Sequence, residues 1–280
     1  ALHEFRAGSV DSGLVWLSEA EAFNQCQGLD ARVDDLLVHA RALWHRREGR
    51  LPASESLLEP LHQRADQRPP IDAYLAAGAL GVAYSMRNHD VSALDMFYQA
   101  LALARRSGQD SLLVDALNNL GSYQSDLYNL EDAAPLLEEC LEGALRLKSR
   151  RQIIYAAGNL VQCLCQMGQA VRALALAREH LMGRIQPDDP PALQRDEEMA
   201  HALLDNGLVD EAQAVLARQP HTDPMSNEMA TARVWLNARV LLTRGQAAQA
   251  LALGLRRRQW LLQTGEESTV ALDRLNLHRV

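Results

Sequence analysis

Asn119 and Asn159 lie forty residues apart, each in a stretch with the pattern of an amphipathic helix. A carboxamide carries both a donor and an acceptor, so it can pair with the two backbone groups of an extended peptide without reading the peptide's side chains. Two carboxamides at equivalent places would grip such a strand twice. At about 100° per residue, Asp115, Asn118, Asn119, Ser122, Ser125 and Asp126 share one side of their helix, opposite Leu117, Leu120, Gly121 and Gln124. The same register gives Tyr155, Gly158, Asn159, Gln162, Cys165 and Gln166 downstream, and Leu75, Gly78, Ala79, Val82, Ser85 and Met86 upstream. The candidate binding residues are therefore Ser85, Asp115, Asn118, Asn119, Ser122, Asp126, Tyr155, Asn159 and Gln162. Two readings stay open for the asparagines: contact with a ligand, or capping and bridging of neighbouring helices, which also satisfies polar groups on an inner face. Tyr155 is either an apolar platform for a ligand side chain or a filler between helices.

Other chemistry finds no support. There is no glycine-rich loop followed by lysine, Lys148 being the sole lysine, and neither a Gly-x-Ser-x-Gly elbow nor His-Glu-x-x-His occurs. Cys163 and Cys165 are two apart on a helix and point to nearly opposite sides, so they cannot share a metal without distortion. The nine histidines are scattered without ligand spacing. No catalytic residue, metal or cofactor is expected. The four cysteines fall on helix interiors of a chain long enough to bury its own core, which fits a reducing cytoplasm without a disulfide framework. The runs at Arg150–Arg151 and Arg256–Arg258 read as solvated helix faces rather than anion sites. A formal charge of −8 disfavours a phosphate backbone as partner, and no apolar run is long enough to span a bilayer.

The elements that must position these residues are repeated. With Ala93 as anchor, small residues recur at Ala53, Ala133 and Ala173 at intervals of forty, then at Ala212 and Ala250 at thirty-nine and thirty-eight. Breakers precede each anchor, among them Asn-His-Asp at 88–90, Met-Gly at 167–168 and Arg-Gly at 244–245. Each copy is thus helix, tight turn, helix. The anchor lets the second helix cross the first closely, and Leu57, Phe97, Leu137, Ala177, Leu216 and Gly254 follow four residues on, along the same core-facing stripe. Few aromatics and many Ala, Leu, Arg and Glu complete an all-α reading. The organisation expected is one domain over 1–280: a capping helix at about 11–27, repeats at about 30–68, 71–108, 111–148, 151–183, 191–219 and 227–263, and a connecting helix at about 266–280. Pro190 and Pro191 after Asp188 and Asp189 read as a helix start.

Leu80, Gly81, Tyr84, Ala93, Phe97 and Ala100 form a pattern that resembles the tetratricopeptide repeat (TPR), strongly over 71–182 and weakly elsewhere between 30 and 262. The forty-residue spacing is similar to the extended repeats of kinesin light chains, bacterial quorum-sensing regulators and the sensor regions of bacterial signalling proteins. That resemblance implies a right-handed superhelical solenoid with a concave groove. It also implies a peptide-binding role for Asn119 and Asn159, which precede Leu-Gly and Leu-Val. By analogy of architecture, the expected function is a peptide- or protein-binding regulatory module, cytoplasmic and non-catalytic, controlling an attached output domain such as a GGDEF diguanylate cyclase. A small-molecule sensor of a transcription regulator and an RNA-binding solenoid are the alternatives, and homodimerisation through a solenoid end is compatible with all three.

Overall fold

The computed structural model describes residues 10–27, 31–182, 192–218 and 230–264. The expected connecting helix at about 266–280 and the helix start at Pro190–Pro191 lie outside them. All regular elements among the described residues are helical: α1 (Val10–Gln27), α2 (Ala31–Arg47), α3 (Leu51–Gln63), a short 3-10 turn, α4 (Pro70–Met86), α5 (Asp90–Ser107), α6 (Asp110–Asp126) and α7 (Leu130–Leu147). They continue with α8 (Arg150–Gln166), α9 (Ala170–His180), α10 (Ala192–Asp205), α11 (Val209–Leu216), α12 (Ala230–Thr243) and α13 (Ala247–Thr264). The chain divides into two compact units, Ala1–Tyr123 and Gln124–Val280.

One turn, used six times, sets the repeat. A residue in the left-handed region closes each first helix: Gly49, Asn88, Tyr128, Gly168, Gly207 and Gly245, with φ between 52 and 75° counting all such residues. The next amide reaches back five residues, as in His89 to the Tyr84 carbonyl at 3.0 Å, Asn129 to Gln124 at 2.9 Å and Gln169 to Leu164 at 2.8 Å. This is the Schellman closure, which caps the carbonyls a helix end leaves open. Glycine adopts that conformation freely, whereas Tyr128 holds it against its own Cβ.

The second helix then opens on a fixed bond, for example Ala93 N–H to the His89 carbonyl at 2.9 Å and Ala133 to Asn129 at 3.0 Å. Ala93, Ala133, Ala173, Ala212 and Ala250 all have no exposed surface. In the first hairpin that bond is made by Ser54, not Ala53, to the Arg50 carbonyl at 3.1 Å. Ser54 is buried and its hydroxyl donates to the Ala42 carbonyl at 2.9 Å, while Ala53 is only half-buried. The register expected at Ala53 is therefore corrected by one residue. The stripe shifts with it, since Leu58 and not Leu57 is fully covered.

In the first unit, a Cβ added at Gly81 would lie 2.7 Å from the Phe97 ring. The ring is held in turn against Tyr123, centroid to centroid 5.3 Å, and the Tyr123 hydroxyl donates to Asp90 at 2.7 Å. Leu-Gly in the first helix and Phe four residues past the anchor are thus one packing unit. In the second unit, Ala177 leaves less bulk at the place of Phe97, and Val161 replaces the glycine, fully buried.

Candidate functional site

The first helices of the hairpins carry the polar faces. On α6, Asp115, Asn118, Asn119 and Ser122 share one face, with Asp115 exposed and the other three half-buried. Ser122 Oγ donates to the Asn119 carbonyl at 3.2 Å, and Ser85 on α4 makes the same backward bond to Val82 at 2.9 Å. Both hydroxyls are thereby tied to their own helices. These five residues belong to the first unit, and α4 contributes mainly alanine and glycine around Ser85.

In the second unit, Tyr155, Asn159 and Gln162 follow one another along a face of α8 at helical spacing. Asn159 is the most buried of the three, 9 % exposed. The Arg151 guanidinium sits 5.7 Å from the Tyr155 ring centroid, so the side chain read as solvated lies over the aromatic face. Ser125 is buried, and its hydroxyl donates to Gln166 at 2.7 Å. Helical periodicity had placed Ser125 on the open face. A hydrogen bond to the next first helix draws it in instead.

The repeat register, thirty-nine residues at this step, reaches α10 one copy further than the candidates above. There Glu198 corresponds to Asn159 and Asp205 to Gln166, since the two turns close alike, Gln169 on the Leu164 carbonyl and Leu208 on Leu203. Because Gly158 has no side chain, Glu198 leans over α8, its Cγ 3.6 Å from where a Cβ would stand. Asp205 is neutralised by Arg239 of α12 at 2.5 Å and has His201 at 3.9 Å. Glu198 has no such relief: desolvation, then the Glu197 and Asp126 carboxylates, push its carboxyl up to about 8. Desolvation also pushes Asp126 up to about 6. Asp126 is open to water, which screens that shift, so we assign it no stability weight. Glu197 is buried with one carboxylate oxygen lacking a hydrogen bond. It is pushed up to about 7 by burial, countered by Arg233 and reinforced by Asp196.

The arginine run at 256–258 divides. Arg256 and Arg258 are exposed as expected, but Arg257 is fully buried, its guanidinium 4.5 Å from the Trp260 ring centroid. It stands seven residues past the anchor Ala250, the position that Ala100 and Cys140 fill elsewhere. Cys140, Cys163 and Cys165 are buried free thiols, and burial raises the latter two. Burial of this kind makes a thiol inert rather than nucleophilic. No group of His, Cys, Asp and Glu among the described residues could hold a metal, and no described helix is long and apolar enough to cross a membrane.

Stacked helical hairpins with a polar face along the first helices define a helical-repeat scaffold. No family model matches the sequence and no curated protein matches it, but solved structures do. A Rap protein complexed with Competence and Sporulation Factor has a TM-score of 0.65 at 16% identity, covering 94% of this chain and 78% of that one. NprR in complex with its cognate peptide NprX gives 0.64 at 16%, covering 95% and 81%. A putative kinesin light chain of Podosopora anserina with nearly identical TPR-like repeats gives 0.55 at 18%, covering 64% and 90%. By fold, the chain is a TPR-like repeat protein.

Proposed function

We propose that this chain is a peptide-binding regulatory module. The observation that carries the reading is the succession of polar side chains along the first helices, in register with the repeat, in a fold that also serves the peptide complexes of NprR and Rap. On α8, Asn159 and Gln162 supply donors and acceptors for a peptide backbone, and Tyr155 supplies a flat apolar surface. On α6, Asn118, Asn119 and Ser122 offer the same chemistry. Glu198 and Asp126, whose carboxylates repel one another once both are ionised, select a cationic ligand, since a positive side chain or amino terminus would relieve that repulsion.

The module itself is non-catalytic in this proposal and works in a reducing cytoplasm. Binding passes to an attached output domain, of which a GGDEF diguanylate cyclase is one candidate. An assay of diguanylate cyclase activity in the full gene product, with and without a bound peptide, tests that extension directly.

The binding reading is tested by fluorescence anisotropy at about pH 9, where Glu198 is ionised, with labelled Arg-Ala and Glu-Ala hexapeptides. The basic peptide binds more tightly, Asn159→Ala weakens both by about fivefold, the worth of one ordinary hydrogen bond, and Glu198→Gln erases the charge preference. Unchanged affinity in a folded Asn119→Ala, Asn159→Ala double variant would refute it.

A further inference from the structure

Within the second unit, a cavity of about 320 Å³ opens where α11, α12 and α13 meet. That is the lower end of the size range of small-molecule sites, about 300–1,000 Å³. None of its lining residues belongs to the peptide face on α8 and α10. Val234, Val240, Leu241 and Leu253 give it aliphatic walls, and Arg244 is the one charged lining residue among those described. Among the described residues the Arg244 guanidinium makes a single contact, Nη2 to Asp210 Oδ1 at 2.5 Å, and Asp210 is almost wholly exposed. Water screens such a pair, and one contact uses a small part of a five-donor fork. Asn237 donates its amide to the Arg233 carbonyl at 2.8 Å, which leaves its side-chain oxygen as an acceptor fixed at the wall.

We infer that this cavity is a binding site for a small aliphatic carboxylate, separate from the peptide face. The carboxylate meets Arg244 through the fork geometry that suits two parallel hydrogen bonds, exchanging an exposed partner for a bound one. The hydrocarbon body lies against the aliphatic wall, covering Leu241 and Leu253, which are half-buried, over the buried Val234 and Val240. Arg244 lies in the turn before α13 and Asn237 on α12, so a bound ligand fastens that hairpin to α11.

Saturation-transfer NMR and titration calorimetry on the full chain, with octanoate, octanol and octylammonium as probes, test the site. Octanoate binds saturably, octanol at least tenfold more weakly, and octylammonium not at all. Arg244→Gln, at an exposed position, reduces octanoate to the level of octanol. Gln213→Trp, which blocks the rim from α11 without touching the core, abolishes both while far-UV circular dichroism stays unchanged. No saturable binding of octanoate to the wild type, or equal binding to Arg244→Gln, overturns the proposal. Loss of peptide binding in the Asn159→Ala variant leaves octanoate binding intact.

Discussion

The two units use one turn and one anchor but treat their acids differently. In the first unit carboxylates that face the protein meet arginines: Asp72 with Arg32 at 2.9 Å, Asp35 with Arg68 at 2.7 Å, and Glu55 with Arg87 at 2.5 Å. The second unit has such pairs too, Glu138 with Arg172, Glu211 with Arg178 and, on α10 itself, Asp205 with Arg239. Along α10, however, it sets Glu198 near the Glu197 and Asp126 carboxylates. Paired acids hold hairpins together. Acids held without a partner cost stability in the empty protein and favour whatever cation relieves them, which is how a repeat scaffold acquires a preference without a new element.

The largest effect that would break this contrast is on pH. Glu198 titrates near 8 in the folded chain against an ordinary value of 4.5, and Glu197 near 7. A raised acid holds its proton in the folded state while the unfolded chain has lost it. Stability is therefore full below about pH 4.5, falls as pH rises, and levels off above 8. The slope is about 1.4 kcal/mol per pH unit for each group that differs. Hydrogen exchange at pH 5 and pH 8 should show amides of α8 and α10 losing protection with pH. Glu198→Gln with Glu197→Gln should flatten the profile. The affinity for a cationic peptide runs the opposite way, because Glu198 must ionise to attract it.

Next comes packing in the first unit. Gly81→Ala puts a methyl group into the Phe97 ring, which Tyr123 holds from its other side, and should cost about 1–3 kcal/mol by urea unfolding. The second unit has Val161 in place of that glycine, and Ala177 where Phe97 stands. Ala177→Phe should therefore destabilise there, and Val161→Gly paired with it should recover part of the loss.

The shared turn supplies a smaller test. Gly168→Ala forces a Cβ into the left-handed region and should cost about 1 kcal/mol, whereas Tyr128→Gly should be neutral or stabilising by a few tenths. Equal effects at the two sites would mean that Tyr128 earns its conformation through contacts of its side chain.

Much of this fold is legible in the sequence because the anchor is a steric requirement. A second helix crossing closely needs a small residue, and Ala recurs where it must. Ser54 escapes the pattern because serine is as small as alanine but polar, and only the carbonyl of Ala42 makes its burial acceptable. Arg257 escapes for the converse reason. A triple arginine looks solvated, yet the middle one falls on the inward stripe and its guanidinium can lie over Trp260. Glu198 was within reach of the register, since 119, 159 and 198 are equivalent once the thirty-nine-residue step is used. What no periodicity could supply is the charge environment, because it depends on which acids of successive first helices meet without an arginine between them.

The smallest expected effect sharpens the comparison from its other side. Arg172 and Glu138 approach to 2.5 Å, a shorter contact than the 2.9 Å of Arg32 and Asp72. Distance alone would make the former the stronger pair. Both of its members are about half exposed, whereas the Asp72 side chain is 9 % exposed. Water and salt screen the exposed pair, and holding two long side chains costs entropy, so Arg172→Ala should change stability by about 0.5 kcal/mol or less. Arg32→Ala strands a covered carboxylate and should cost about 1–3 kcal/mol. Urea titrations at 0.05 and 0.5 M NaCl separate them: the first difference vanishes with salt, and the second persists, because burial of the acid rather than the length of the contact decides what an ion pair contributes to holding the hairpins together.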